Sequence, residues 1–105
     1  MSNKHYVTIF RSRLRPDIYA EYSAMSARMR ELAQSMPGFI SIESYEDDAG
    51  ARVSIVEFAS HEEAAAWRSQ PERLEAQRVG REQFYEEYRV QVCTLDREYA
   101  FAREG

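Results

Sequence analysis

Residues 53–80 read VSIVEFASHEEAAAWRSQPERLEAQRVG, and their order of residue types decides how the rest of the chain is organised. Val53 and Ile55 share one parity while Val56 and Phe58 share the other, the pattern of a strand buried on both faces. Ser60 with Glu63 three residues on is a capping-box pattern that starts a helix running through Trp67. Pro71 interrupts that helix, and a second helical segment runs from Glu72 to Gly80.

Upstream, Arg52–Ala59 is the return strand of a hairpin whose outgoing strand is Phe39–Glu46, the two joined by the turn Asp47, Asp48, Ala49 and Gly50. Pro37 and Gly38 stop a preceding helix, Gly38 being free to take a left-handed conformation. Ile18, Tyr22, Met25, Met29, Leu32 and Met36 recur at alternating steps of four and three, which predicts an amphipathic helix over Asp17–Met36 with Pro16 leading in. That methionine stripe is read as ordinary core, with Glu21, Arg28, Arg30 and Glu31 on the solvated face. The first strand spans His5–Leu14, and it too is apolar on both parities, with Val7 and Ile9 opposed to Tyr6, Phe10 and Leu14.

Downstream, Tyr88–Leu95 reads as the last core strand, and Tyr99 and Phe101 alternate with polar or small residues in a tail that extends it or reaches a neighbouring subunit. The order is strand, helix, strand, strand, helix, strand. This is an α+β, ferredoxin-like βαββαβ arrangement with a four-stranded antiparallel sheet. Two helices cover one face only, so strands that are apolar on both parities call for a second cover, and an identical subunit packed sheet to sheet supplies it.

The 105 residues suit one domain, 1–105, with 44% hydrophobic and 12% aromatic content. A net charge of −4 provides no global positive field for nucleic acid or an anionic membrane. Cys93 is the only cysteine, and no apolar run approaches the roughly 20 residues that span a bilayer. The expected setting is cytoplasmic, with neither membrane nor nucleic acid as partner.

His5 and His61 are the only histidines and fall on different elements, so no protein-bound metal is expected. The four glycines, at 38, 50, 80 and 105, form neither a dinucleotide fingerprint nor a phosphate loop, and no organic cofactor is expected either. Cys93 on a core strand reads as a small hydrophobe, and the adjacent pairs Glu62–Glu63 and Glu86–Glu87 read as solvated charge. What remains is an aromatic and polar set: Trp67, Phe84, Tyr85 and Tyr88, with Arg73, Gln77 and Arg81 nearby. It lines a pocket beneath the broken helix or simply fills the core.

The phrases MPGFISIESYED, VSIVEFASHEEAAAWR and PERLEAQRVGREQFYEEYRVQV resemble the antibiotic biosynthesis monooxygenase family of dimeric α/β-barrel proteins. The resemblance covers nearly the whole chain. It implies a homodimer that oxidises a small aromatic phenol or quinol with molecular oxygen and without metal or flavin, the electron-rich substrate itself reducing oxygen once deprotonated. Under it Trp67 orients the substrate and Tyr45 or Tyr85 handles a proton. Arg73 and Gln77 make polar contacts, and Phe84 and Tyr88 complete the pocket. Relatives that degrade heme share the tryptophan but carry a histidine on the next helical stretch, where this chain has Gln77, ten residues on. Arg73 likewise stands where many similar sequences have histidine, and arginine is no base near neutral pH. The alternatives are therefore a non-catalytic ligand-binding or stress-associated dimer and, third, heme handling.

Overall fold

The computed structural model describes residues 4–104. Its elements run β1 (Tyr6–Leu14), α1 (Tyr19–Ser35), β2 (Phe39–Glu46), β3 (Ala51–Phe58), α2 (His61–Arg68), α3 (Pro71–Val79), a π-helical turn (Gly80–Phe84) and β4 (Tyr85–Thr94). The strands form one antiparallel sheet in the order β2-β3-β1-β4, the ferredoxin-like α+β topology expected from the element order.

Side chains alternate across a strand, and the register fixes which residues share a face. Tyr6, Thr8, Phe10 and Ser12 of β1 stand opposite Phe58, Val56, Ser54 and Arg52 of β3. Val56 and Phe58 join Leu32 and Ala33 of α1 with Ala64 and Trp67 of α2 in the buried core, so this is the face the helices cover. Val7, Ile9, Val53 and Ile55 belong to the opposite parity and are only half-buried, on the face away from the described helices.

Local chemistry sets the helix ends. The Glu63 N–H donates to Ser60 Oγ at 3.2 Å and the Ser60 hydroxyl donates to the Glu63 carboxylate at 3.0 Å, satisfying an orphan donor of α2. Gly38 lies at φ 79°, and a side chain there would occupy the space of that same Glu63 carboxyl group. The Pro71 break holds: Gln70 caps α3 by accepting from the Arg73 N–H at 2.9 Å, with proline at the first helical position.

Two boundaries differ from expectation by more than one residue, and one side chain differs in burial. α1 starts at Tyr19 rather than Asp17, because Asp17 takes a left-handed backbone at φ 61° and turns the chain before the helix begins. The last strand starts at Tyr85 rather than Tyr88, since a register shift between Arg13 and Leu14 lets β4 continue to pair Tyr85 with Leu14. Arg30 is half-buried rather than solvated, its guanidinium donating to the Ile42 carbonyl at 3.1 Å and Ser44 Oγ at 3.4 Å. The stem of an arginine covers apolar surface while its head finds acceptors on the neighbouring strand. Beyond β4, residues 95–104 carry no regular structure, with Tyr99 and Phe101 about four-fifths exposed.

Candidate functional site

Between the helices and the covered face of the sheet lies a cavity of about 100 Å³, measured as the space open to the centre of a water molecule. On that measure one water needs roughly 10–15 Å³, so the cavity takes a group the size of a small aromatic. Its floor is Thr8 and Phe10 of β1, Ser54 and Val56 of β3, and Ile42 and Ser44 of β2. Tyr22, Met25 and Met29 of α1 form one wall, Trp67 of α2 with Arg73 and Gln77 of α3 the other, and Tyr85 at the start of β4 closes an end.

Each wall follows from a local feature. Trp67 is nearly buried, its ring 6.3 Å from Phe58, and the Arg73 guanidinium lies 5.5 Å from the indole centroid, within cation–π range. Arg73 also donates to the Arg68 carbonyl at 3.1 Å. Burial, and then the neighbouring Arg68 charge, hold the Arg73 guanidinium below the usual arginine range. Tyr85 is aimed inward by the π-helical turn, packing against Phe10 at 5.5 Å and Tyr22 at 6.0 Å. Its phenol is pushed well above the ordinary tyrosine value, chiefly by burial, so it is a neutral O–H donor across the physiological range.

The lining holds two guanidinium groups, Arg30 and Arg73, and no aspartate, glutamate or histidine. Arg30 is spent on the sheet, where Ser44 Oγ and Ser54 Oγ lie 2.9 Å apart. Tyr22 accepts from Arg52 Nε at 2.9 Å, and Arg52 is itself paired with Glu46 at 2.8 Å. Such a cavity favours an apolar body with negative charge on its edge. Among the described residues, no group of three or more His, Cys, Asp or Glu side chains comes together to hold a metal ion, and no helix is long and apolar enough to cross a membrane.

Of the residues singled out from sequence, Trp67, Arg73, Gln77 and Tyr85 meet in this cavity. Phe84 is buried behind the wall, edge-on to Tyr22 at 6.3 Å, and does not line it. Tyr88 stacks on Phe10 at 5.1 Å and accepts from Arg81 at 3.0 Å, also outside the lining. Tyr45 shares its parity with Val53, across the sheet from the cavity, where it is 57% exposed and its hydroxyl bonds the Glu43 carboxylate. That bond, above all, raises its pKa. His5 bonds Glu57 at 2.6 Å and His61 is exposed, edge-on to Tyr6 at 5.2 Å. Thr8, Tyr22, Met25, Met29 and the Ser44–Ser54 pair were not picked out as site residues. The α1 stripe containing Tyr22, Met25 and Met29 carried the signal, since the residues that face a core also face any void within it.

Comparison with known proteins agrees with this architecture. The family model described as antibiotic biosynthesis monooxygenase matches residues 5–79. Uncharacterized protein YqjZ of Bacillus subtilis (strain 168) is 31% identical over 97 residues, which are 92% of this chain and 84% of that protein. Among solved structures, Rv0793 from Mycobacterium tuberculosis superposes with a TM-score of 0.80 at 23% identity, over 91% of this chain and 99% of its own. SnoaB from Streptomyces nogalater, a cofactor-independent oxygenase, superposes with a TM-score of 0.76 at 16% identity, over 90% of this chain and 96% of its own.

Proposed function

The chain belongs to the antibiotic biosynthesis monooxygenase family, and from that premise we propose that it oxidises a small aromatic phenol or quinol with molecular oxygen, without a bound cofactor. The observation that carries this reading is the cavity itself: aromatic surface from Trp67 and Tyr85, apolar surface from Met25, Met29 and Val56, and the Arg73 guanidinium in the same lining. In such a reaction the ionised substrate supplies the electrons. A ring carbon of the phenolate bonds to oxygen, the peroxide takes up a proton, and loss of water leaves the carbonyl of a quinone. The Arg73 cation stabilises the negative charge before and after oxygen adds, and neutral Tyr85 has an O–H to offer the peroxide.

Purified protein in an oxygen electrode with a panel of phenols, quinols and anthrones tests it. The expected result is protein-dependent uptake with one quinone formed per oxygen consumed; no uptake across the panel removes the oxygenase reading. A second reading, a ligand-binding protein without turnover, is favoured by the lack of any carboxylate or imidazole in the lining to accept a proton. It predicts that a bound phenol is recovered unchanged after prolonged aeration. Heme handling draws no support from a cavity lined by no histidine.

The uncovered sheet face is part of the same reading. Val7, Ile9, Val53 and Ile55 form an apolar strip that none of the described helices covers, and a second copy packed sheet to sheet buries it. Light scattering at micromolar concentration is expected to give twice the 12.3 kDa chain mass, and a monomeric mass overturns the homodimer.

A further inference from the structure

Two arginines meet at the junction of α2 and α3 without a counter-ion. Arg73 is close enough to Arg68 for their charges to repel, and it donates to the Arg68 carbonyl at 3.1 Å. Among the described residues neither guanidinium is paired with a carboxylate, although Arg28, Arg52 and Arg78 each have one. Arg68 Nη1 is buried with no hydrogen-bond partner. Among the described residues the Thr8 hydroxyl is the other buried side-chain group left without one, and it belongs to a residue that is 2% exposed and lines the same cavity as Arg73.

These features are costly separately and consistent together. A buried donor or acceptor left unmade costs about 1–3 kcal/mol, more when charged. Arg73 is also the third residue of α3, at the helix end where the backbone dipole disfavours a cation. A negatively charged group in the cavity offsets the clustered positive charge. It lies against Arg73, which lines the cavity, accepts from the free N–H groups of that guanidinium and lowers the repulsion between Arg73 and Arg68. Trp67, under the Arg73 guanidinium, holds that cation at the cavity wall and adds aromatic surface to the lining beside it.

The geometry points to Arg73, with the charge of Arg68 beside it and Thr8 in the same lining, as an anion-recognition site at the wall of the cavity, so that the ligand is an aromatic anion, carrying a carboxylate or an ionised hydroxyl, rather than a neutral aromatic. This rests on the reading of the cavity as the ligand site, and it specifies the ligand class that the site selects.

Calorimetric titration of the full chain with 2-naphthoate, 2-naphthamide and 2-naphthol tests it, since the three share an aromatic body and differ in charge. The expected result is that naphthoate binds at least tenfold more tightly than the neutral amide at pH 7, that Arg73→Gln removes this preference, and that Arg68→Gln weakens it. If an ionised hydroxyl is the group recognised, naphthol affinity instead rises tenfold or more as pH passes through its own ionisation and Arg73→Gln abolishes that rise. Equal affinity for all three at every pH overturns the anion site while leaving the cavity a ligand site. No binding of any of them overturns both. The preference is read in the wild-type chain, so the result does not depend on either variant folding. Binding without oxygen uptake supports this inference while counting only against turnover.

Discussion

Replacing Trp67 with alanine is expected to lower the free energy of unfolding by about 3–5 kcal/mol, the range for truncating a buried aromatic. The indole is only 4% exposed and belongs to the central core cluster with Leu32, Ala33, Val56, Phe58 and Ala64. Its loss removes contact with Phe58 and also the surface on which the Arg73 guanidinium rests. The void left behind merges with the existing cavity, which the opposing sheet and α1 hold apart, so collapse recovers little of the loss. Trp67→Phe keeps an aromatic ring at the same place and is expected to cost less than half as much. Urea titration followed by circular dichroism measures both, because Trp67 is the chain's one tryptophan and its fluorescence disappears with it. A loss below about 1 kcal/mol for the alanine variant, within the range of ordinary surface changes, contradicts the placement of the indole in the core.

Trp67 was legible in the sequence because it lies on an element whose start and stop are written locally, in Ser60, Glu63 and Pro71. The same holds for the sheet, whose strand order follows from the sequence of elements once the hairpin turn at residues 47–50 is recognised. Facing was harder. Val53 and Val56 are both apolar and lie on opposite parities, so alternation alone does not say which class the helices cover. Tyr45 was therefore open to a cavity role that its pairing with Val53 places on the other side of the sheet.

The polar features of the site were hidden for a different reason. Arg68 and Thr8 look in sequence like a helix-end cation and an ordinary strand threonine, and their unmet hydrogen bonds arise only when the chain packs around them. Arg30 read as solvated because its helical position borders the apolar stripe, and its acceptors, the Ile42 carbonyl and Ser44, come from a strand twelve and fourteen residues away. The π-helical turn left no periodic trace at all, since five residues are too few to show a spacing.

That turn makes a second large effect predictable. Gly80→Ala is expected to destabilise the protein by about 1–3 kcal/mol, the usual cost of inserting a methyl group where no space exists. Gly80 has an ordinary helical backbone, so its role is steric: a Cβ there would fall on the ring of Tyr85. The ring cannot swing aside freely, because Phe10, Tyr22 and Tyr88 surround it at 5.5–6.0 Å between centroids. Any relief must move the ring toward the cavity or strain the turn from Gly80 to Phe84. A double-mutant cycle separates the steric account from a loss of helix flexibility. Tyr85→Ala alone enlarges the cavity and costs stability, yet in its presence Gly80→Ala should become nearly neutral, leaving a coupling of about 1 kcal/mol or more between the two positions. Urea titrations of the four proteins give that number directly. Additive effects would mean that Gly80 is needed for the turn itself rather than for the ring it admits, and the cavity end closed by Tyr85 would then owe its shape to the backbone alone.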